Sequence, residues 1–318
     1  SGSGNKKYET NRINDVASLI YRYNPSTGDN EYGVLKNGRQ VLPMIFKSGY
    51  SSSEYNAMIR ILGIGKKYGV FDIETEKWII PIQYDEMTAF NSSTFIVRKG
   101  AFYGILDISN KMLVPMEWNR LQKVSGVDNY AIVGKQTNYG ILSVIDNKLT
   151  TPCVYSEIQP IENSTGFKVK KDNTYNIVDI NNKPRFKNWY QEMFLSSNKR
   201  KNYIVKLGDR MGIIDESEKI VLPIEYQEIK SYPYNDGSYL AKNKNGKYGC
   251  VTLDGRISLP FEYDNLAKGT YENSILAMKG DKCGLIQINE GLPYEIVACD
   301  FDTISYSRTV FIVEKNHK

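Results

Sequence analysis

One segment of about 36 residues recurs through this sequence, and the recurrence limits the chain to a repeat architecture. The copies align on a glycine that follows an aromatic or other apolar residue. The aligned positions are Gly33, Gly69, Gly104, Gly140, Asn176, Gly212, Gly249 and Gly284, with asparagine replacing glycine in the fifth copy. Their successive spacings are 36, 35, 36, 36, 36, 37 and 35 residues. A nearly constant period in this range is typical of solenoids, propellers and repeat arrays.

Each copy predicts a small antiparallel β-meander with almost no room for a helix. Residues 67–87, KYGVFDIETEKWIIPIQYDEM, show the pattern: short runs of β-branched and aromatic residues separated by turn residues. We expect an apolar strand upstream of the glycine, a second strand at the glycine and a third strand around the proline. A short fourth strand, such as Glu86 and Met87, is expected to close each repeat.

Proline and an aromatic residue mark the third strand. Proline follows the glycine by ten to twelve residues in six copies, and an aromatic stands three residues later. Since proline cannot donate a ladder hydrogen bond, this strand is expected at a sheet edge, end or bend. Copies five and eight lack the proline, and we match their aromatics to Tyr190 and Phe301. The glycine lets a ring or backbone approach closely, and Asn176 is interpreted as a residue that tolerates unusual backbone geometry.

These features together resemble the bacterial WG repeat, also called KWG. Tyr-Gly, two apolar residues and Asp, then a turn and apolar-Pro-x-x-aromatic-Asp carry the resemblance, most closely at 67–72 and 79–86. Tyrosine or a substitute stands where the family usually has tryptophan. The resemblance covers roughly residues 16–315. It implies a structural and interaction scaffold, with no catalytic residues to carry over.

We therefore predict an all-β chain of about eight antiparallel β-meander repeats in a β-propeller-like arrangement. An open, twisted β-solenoid is the alternative. The upstream strand occurs nine times and the downstream motif eight, which fits either Velcro closure of a propeller or an open solenoid with an extra capping strand. Residues 1–15 are interpreted as a lead-in that begins with a tag remnant, SGSG, and residues 16–318 as a single domain.

Composition bounds the function only loosely. Lys and Arg number 41 against 36 Asp and Glu, a net charge of +5 that is spread along the chain and does not by itself indicate nucleic acid. No apolar run reaches the roughly 18 residues that span a bilayer. We expect the bacterial cytoplasm, or alternatively export with the leader removed.

Catalysis and metal binding are not expected. The single histidine is His317, and the four cysteines have no CxxC spacing, so nucleophile pairs and zinc sites lack candidates. The repeated acids are interpreted as turn residues rather than as a carboxylate ring: Asp72, Asp107, Asp179 and Asp215. We predict no enzyme activity and no cofactor.

Binding is the better prospect, where copies depart from the repeat. The candidate contact residues are basic: Lys199, Arg200, Lys201, Lys170 and Lys171. We predict a scaffold for protein–protein interaction, with regulatory, defence or toxin-neutralising roles in view. A multivalent carbohydrate-binding module is the alternative, and nucleic acid is less favoured. Burial of the repeated tyrosines would favour the scaffold, and exposed rings in equivalent pockets would favour sugar binding: Tyr68, Tyr103, Tyr139 and Tyr248.

Overall fold

A computed structural model of the chain describes residues 8–51, 58–63, 65–161, 166–196, 201–232, 237–269, 271, 273–289, 292–307 and 310–315. These ranges contain antiparallel strands and turns and no helix, which confirms the all-β repeat prediction. The chain divides into two compact units. The first comprises Ser1–Phe167 with Ile180–Asn182, and the second comprises Lys168–Asp179 with Lys183–Lys318.

The first unit is built from short strands joined by tight turns. They are β1 (Glu9–Arg12), β2 (Ala17–Asn24), β3 (Asp29–Lys36), β4 (Arg39–Phe46), β5 (Ser48–Ser51), β6 (Met58–Leu62), β7 (Tyr68–Asp72), β8 (Lys77–Tyr84), β9 (Glu86–Asn91), β10 (Thr94–Lys99), β11 (Phe102–Asp107), β12 (Met112–Trp118), β13 (Arg120–Lys123), β14 (Tyr130–Lys135), β15 (Asn138–Ser143), β16 (Lys148–Tyr155) and β17 (Glu157–Pro160). Strands β1 to β16 pair in chain order into four sheets of four strands.

The chain enters the second unit in β18, and the same pattern continues. The strands are β18 (Phe167–Lys171), β19 (Thr174–Val178), β20 (Glu192–Leu195), β21 (Tyr203–Leu207), β22 (Arg210–Ile214), β23 (Ile220–Tyr226), β24 (Glu228–Ser231), β25 (Ser238–Lys242), β26 (Tyr248–Thr252), β27 (Ile257–Tyr263), β28 (Asn265–Lys268), β29 (Ser274–Lys279), β30 (Lys282–Asn289), β31 (Leu292–Phe301), β32 (Thr303–Ser307) and β33 (Val310–Glu314). Strands β20 to β31 form three further four-stranded sheets, and β32 pairs with β33.

The short strand occupies a different place from the predicted one. It was expected to end a repeat, but it is the first strand of the next sheet, as the order β9-β10-β11-β12 shows. Only Asp85 separates β8 from β9, and its N–H already donates to the carbonyl of Arg98 in β10 at 2.8 Å. The chain therefore changes sheets at this residue. The propeller-like arrangement and the single-domain boundary stay predictions.

The recurring glycine is required because the fourth strand approaches it closely. A Cβ added at Gly104 would lie 2.6 Å from the carbonyl oxygen of Val114. The predicted edge position of proline is confirmed, since Pro115 is exposed on β12 at the edge of its sheet. Tyr103 pairs with Trp118 across the same two strands. The aromatics assigned to the proline-free copies also pair as expected: Tyr175 with Tyr190, and Cys283 with Phe301.

The hydrophobic core lies between successive sheets. One buried cluster joins Ile105 and Val114 of one sheet to Val133 and Leu142 of the next. Equivalent clusters recur in both units. Since a single small sheet cannot bury enough apolar surface to be stable, each sheet depends on its neighbours.

Copy five replaces its missing fourth strand with side-chain hydrogen bonds. Asn176 is fully buried within β19 and has no positive φ, so backbone tolerance does not explain it and that interpretation is wrong. Its amide Nδ2 donates to the carbonyls of Phe186 at 2.9 Å and Asn188 at 3.0 Å, and its Oδ1 accepts from the N–H of Phe186 at 3.2 Å. The side chain thus satisfies backbone groups that a strand partner bonds in the other copies.

The carboxylate of Glu218, in the turn between β22 and β23, also bonds the segment that replaces the fourth strand of copy five. Glu218 accepts hydrogen bonds from the N–H of Lys187 at 2.6 Å and of Asn188 at 2.9 Å. It also accepts from the hydroxyl of Tyr190 at 2.9 Å. Burial on its own would raise the pKa of Glu218, but these hydrogen bonds outweigh it and hold the pKa below its ordinary value of 4.5.

Glu218→Gln is expected to lower the free energy of unfolding by about 2 kcal/mol at neutral pH, because charged hydrogen bonds are lost. The folded-state pKa is depressed, so the carboxylate stabilises the fold above pH 4.5 and ceases to do so as pH falls through the lowered value. Urea denaturation between neutral pH and pH 3 should show the two proteins converging at the acid end. Glu225→Gln, an exposed control, should behave as wild type. Equal stability of the Glu218 variant at pH 7 would contradict the prediction.

Candidate functional site

A row of four paired residues crosses each sheet at the glycine end. In the third sheet, Glu86 pairs with Arg98, Arg98 with Tyr103, and Tyr103 with Trp118. An acid on the first strand, a cation on the second and two aromatics therefore lie side by side. Neighbouring strands are about 4.8 Å apart, so these side chains are within contact distance.

The same row recurs in the second unit. In the sheet β24–β27 it reads Glu228, Lys242, Tyr248 and Tyr263. In the sheet β20–β23 it reads Glu192, Lys206, Met211 and Tyr226. The acid and the cation therefore recur in three sheets, whereas the sheets β5–β8 and β13–β16 have Ser48 with Leu62 and Arg120 with Gly134 at these positions.

The repeated tyrosines are half-buried, and cationic groups of the same chain cover their rings. The ring centroids lie near these groups: Tyr68 at 5.4 Å from Arg60, Tyr103 at 5.9 Å from Arg98, Tyr139 at 5.6 Å from Arg120, Tyr175 at 4.7 Å from Lys168 and Tyr248 at 5.4 Å from Lys242. These distances are typical of cation–π contacts. The rings are therefore engaged within the protein.

Tyrosine hydroxyls bond the acid of the row. The hydroxyl of Tyr248 donates to Glu228 Oε2 at 2.6 Å, and that of Tyr103 donates to Glu86 Oε2 at 3.2 Å. Burial, followed by the hydrogen bond to Glu228, raises the pKa of Tyr248 to about 12. Burial would raise the pKa of Glu228, but hydrogen bonds from Tyr248 and Lys230 lower it overall. At neutral pH the glutamate is an anion with its partners already in place.

A groove of about 520 Å³ lies beside such rows in the second unit, between the first strands β20 and β24. Its lining is Glu192, Phe194, Lys206, Met211, Gln227, Glu228, Ile229, Lys230 and Lys242. We call this the β20–β24 groove. Lys206 pairs with Glu192 at 3.0 Å, and Lys230 pairs with Glu228 at 2.9 Å. Phe194 projects from β20 with 51% of its surface exposed.

The first unit has a groove at the equivalent place, between β9 and β13, with a volume of about 650 Å³. We call it the β9–β13 groove. Glu86, Tyr103 and Asn119 line it where Glu192, Met211 and Gln227 line the other groove. The frame of the groove is therefore a property of the repeat.

The outward side chains of the two grooves differ. Thr88 stands at the position of Phe194, and Gln122 stands at the position of Lys230. Since the β9–β13 groove forms without the phenylalanine and the lysine, the repeat fold does not require them. Exposed residues that the frame does not need are candidates for recognition.

The residues predicted as a basic contact surface are only partly brought together. Lys199 and Arg200 lie outside the described residues. Lys201 is 3.6 Å from the carboxylate of Glu216. Lys170 lies 5.3 Å from the ring of Tyr175, and Lys171 is exposed at the end of β18.

Lys168 links this region to the groove. Its Nζ lies 4.7 Å from the ring of Tyr175 and 5.6 Å from the ring of Phe194, and it donates to the carbonyl of Met193 at 2.6 Å. Phe194, Lys206, Lys230 and Lys242 are not among the residues that the sequence predicts for the site. Aligning the outward positions of the first strands could have found Phe194, but the short strand had been assigned to the wrong sheet.

The repeated aspartates accept hydrogen bonds within turns, and the Cys250 thiol is buried. The N–H of Ser109 donates to Asp107 Oδ1 at 2.9 Å, and the N–H of Ser217 donates to Asp215 Oδ1 at 2.8 Å, which confirms the turn interpretation. Burial raises the pKa of the Cys250 thiol to about 11, so it is protonated at neutral pH. Within the described ranges, no cluster of three His, Cys, Asp or Glu residues could hold a metal ion.

A family model described as a WG containing repeat matches residues 68–101 and 211–248. Each match begins in or at the edge of a third strand and runs into the following sheet, so the family repeat spans the sheet boundary. These two segments are WG repeats. They have tyrosine or methionine before the glycine.

Comparison of the chain with other proteins adds no functional match. No curated protein matches it. Among solved structures it is similar to a eukaryotic initiation factor, with 9% identity, a TM-score of 0.36, and coverage of 90% of this chain and 86% of that one. It is also similar to AztD from Citrobacter koseri, with 11% identity, a TM-score of 0.34, and coverage of 91% and 94%. These scores support no functional inference. No helix in the described part is long and apolar enough to cross a membrane.

Proposed function

We propose that this chain is a non-enzymatic β-repeat scaffold that binds another protein through the β20–β24 groove. The observation that carries the proposal is the exposed Phe194, which stands among lysines where the equivalent β9–β13 groove has Thr88. A constant frame with variable outward side chains is how repeat proteins produce recognition surfaces. Aromatic residues in a surface groove are typical anchors of protein interfaces.

The absence of enzyme activity is part of this proposal. Asp107 and Asp215 accept backbone hydrogen bonds in turns, and the Cys250 thiol is buried with a raised pKa. These groups are occupied by structural hydrogen bonds or kept from acting as nucleophiles. Binding needs no such group, only a presented surface.

Carbohydrate binding is the less supported alternative. Sugar recognition would use the open faces of the repeated tyrosines, as avidity from equivalent sites would require. Arg98 lies over Tyr103 and Lys242 lies over Tyr248, and both hydroxyls already donate to glutamates. These contacts support the scaffold over the multivalent sugar-binding module.

Phe194→Ser tests the proposal. A protein captured by the wild-type chain from an extract of the native host would be identified, purified and measured by biolayer interferometry. We expect the variant to bind this partner at least tenfold more weakly, because an apolar anchor contributes about 1.5–3 kcal/mol on burial.

The matched control is Ile145→Ser, a change at a turn residue that is 79% exposed in the first unit. It should leave the affinity for the partner unchanged. Equal binding by wild type and the Phe194 variant would reject the groove. Capture that a simple sugar abolishes would instead establish the carbohydrate module.

A further inference from the structure

We propose that the β20–β24 groove receives an extended, acidic segment of the partner protein, with an apolar side chain of that segment placed on Phe194. This inference rests on the proposed function and names the chemistry of the partner. It follows from three properties of the groove: its charge, its apolar centre and its open shape.

The groove presents a surplus of cations. Lys206, Lys230 and Lys242 line it, against two acids, Glu192 and Glu228. Glu192 pairs with Lys206, and Glu228 pairs with Lys230 and accepts from the hydroxyl of Tyr248, so the surplus within the groove is the charge of Lys242, to which Lys168 beside Phe194 adds a second. A positively charged surface attracts negatively charged partners, so the electrostatic field of the groove steers acidic segments toward it.

The basic surface continues past the groove along β18. Lys168 lies beside Phe194, and Lys170 lies on the same tyrosine ring as Lys168. The sequence-predicted Lys170 therefore extends the basic surface of the groove. An acidic segment longer than the groove would meet these lysines next.

Phe194 supplies the apolar contact. It is 51% exposed, although the preceding residue of the same strand, Met193, is buried. An extended segment has side chains that alternate between two sides with a repeat of about 7 Å. One such segment can present acids to the lysines and an apolar residue to Phe194.

The open shape of the groove favours a chain over a small molecule. It runs along β20, the first strand of its sheet, which pairs with β21 on one side in the described sheet order. A nucleic acid suits it less well, because Glu192 and Glu228 already neutralise two of the three lysines and leave little positive charge for successive phosphates. An acidic peptide can place neutral residues opposite those glutamates.

Fluorescence anisotropy with a labelled peptide tests the inference on the full chain. The probe is Asp-Leu-Glu-Glu repeated three times, compared with Ser-Leu-Gln-Gln repeated three times. We expect the acidic probe to bind, to weaken at least tenfold in Lys206→Ala/Lys230→Ala, and to weaken at least fivefold in Phe194→Ser. Binding should also weaken as salt is raised. Lys123→Ala, in the β9–β13 groove, should bind as wild type.

A variant that gains a second binding site provides a further test, because misfolding cannot explain an increase in binding. Thr88→Phe/Gln122→Lys copies the aromatic and the lysine into the β9–β13 groove, and it should raise the number of bound probes from one to two. Equal binding of the neutral probe, or tighter binding of a single-stranded thymidine oligonucleotide of equal length, would overturn the inference.

Failure of this inference is distinguishable from failure of the proposed function. If the native partner depends on Phe194 but the acidic probe does not bind, the scaffold proposal stands and the acidic chemistry is wrong. If the acidic probe binds through Lys206 and Lys230 while native capture ignores Phe194, the proposed contact site is wrong.

Discussion

Replacing Gly104 by alanine is expected to lower the free energy of unfolding by about 3 kcal/mol or more. The new Cβ would lie 2.6 Å from the carbonyl oxygen of Val114 and 2.8 Å from Met116 Cγ. Both residues belong to β12, which pairs with β11 around this glycine. Because one contact is to backbone, relief requires the fourth strand to move and its ladder to break. Urea denaturation, with hydrogen exchange of the β11 and β12 amides, measures the effect.

Gly65→Ala is the matched control in the same unit. A Cβ at Gly65 meets nothing within 4 Å, and this glycine has no left-handed φ. Its replacement should change stability by less than about 0.5 kcal/mol, as surface substitutions usually do. A Gly104 variant no less stable than the Gly65 variant would show that close approach of β12 does not explain the recurring glycine, since backbone entropy alone makes Gly→Ala stabilising at such positions.

Restoring the repeat consensus at Asn176 is expected to destabilise the protein, also by about 3 kcal/mol. Glycine occupies this position in the other seven copies, and consensus substitutions usually stabilise. Here Asn176→Gly would remove two hydrogen bonds to the carbonyls of Phe186 and Asn188 and one from the N–H of Phe186. The buried backbone groups of Phe186 and the partly buried carbonyl of Asn188 would be left without this partner.

The reciprocal change separates the two environments. Gly212→Asn should also destabilise, because a Cβ there would lie 2.6 Å from Ile224 Cγ1 and 2.7 Å from Ile224 Cα. Thermal unfolding of both variants and of the double variant measures the coupling. The two losses should add, since each residue serves its own sheet. An Asn176→Gly variant as stable as wild type would show that its hydrogen bonds do not replace a strand.

Much of the fold was predictable from local pattern. The 36-residue period, the aromatic before Gly104 and the proline at Pro115 correctly located the second to fourth strands of the sheet that contains them, and the same signals did so in the other proline-containing copies. Strand β1, within the segment interpreted as a lead-in, was missed because Glu9–Arg12 has no apolar alternation. This strand forms because its backbone groups pair with those of β2. The residue pattern of a short polar segment does not predict such pairing.

The candidate site was less predictable, because it depends on which side chains converge. Lys206 and Lys230 are separated by 24 positions along the chain, and Lys168 lies further upstream. Each resembles an ordinary surface lysine in the sequence. Their common neighbourhood arises only when β20 and β24 line one groove.

The sequence by itself determined the repeat period, the all-β class and the place of the close contact at Gly104, since these depend on local alternation and on residue size. Tertiary structure alone decided that the short strand begins the next sheet and that Asn176 and Glu218 replace a strand in copy five. It also decided that Phe194 projects into a lysine-lined groove. Hydrogen bonds and contacts between distant segments select these features, and no local preference specifies their partners.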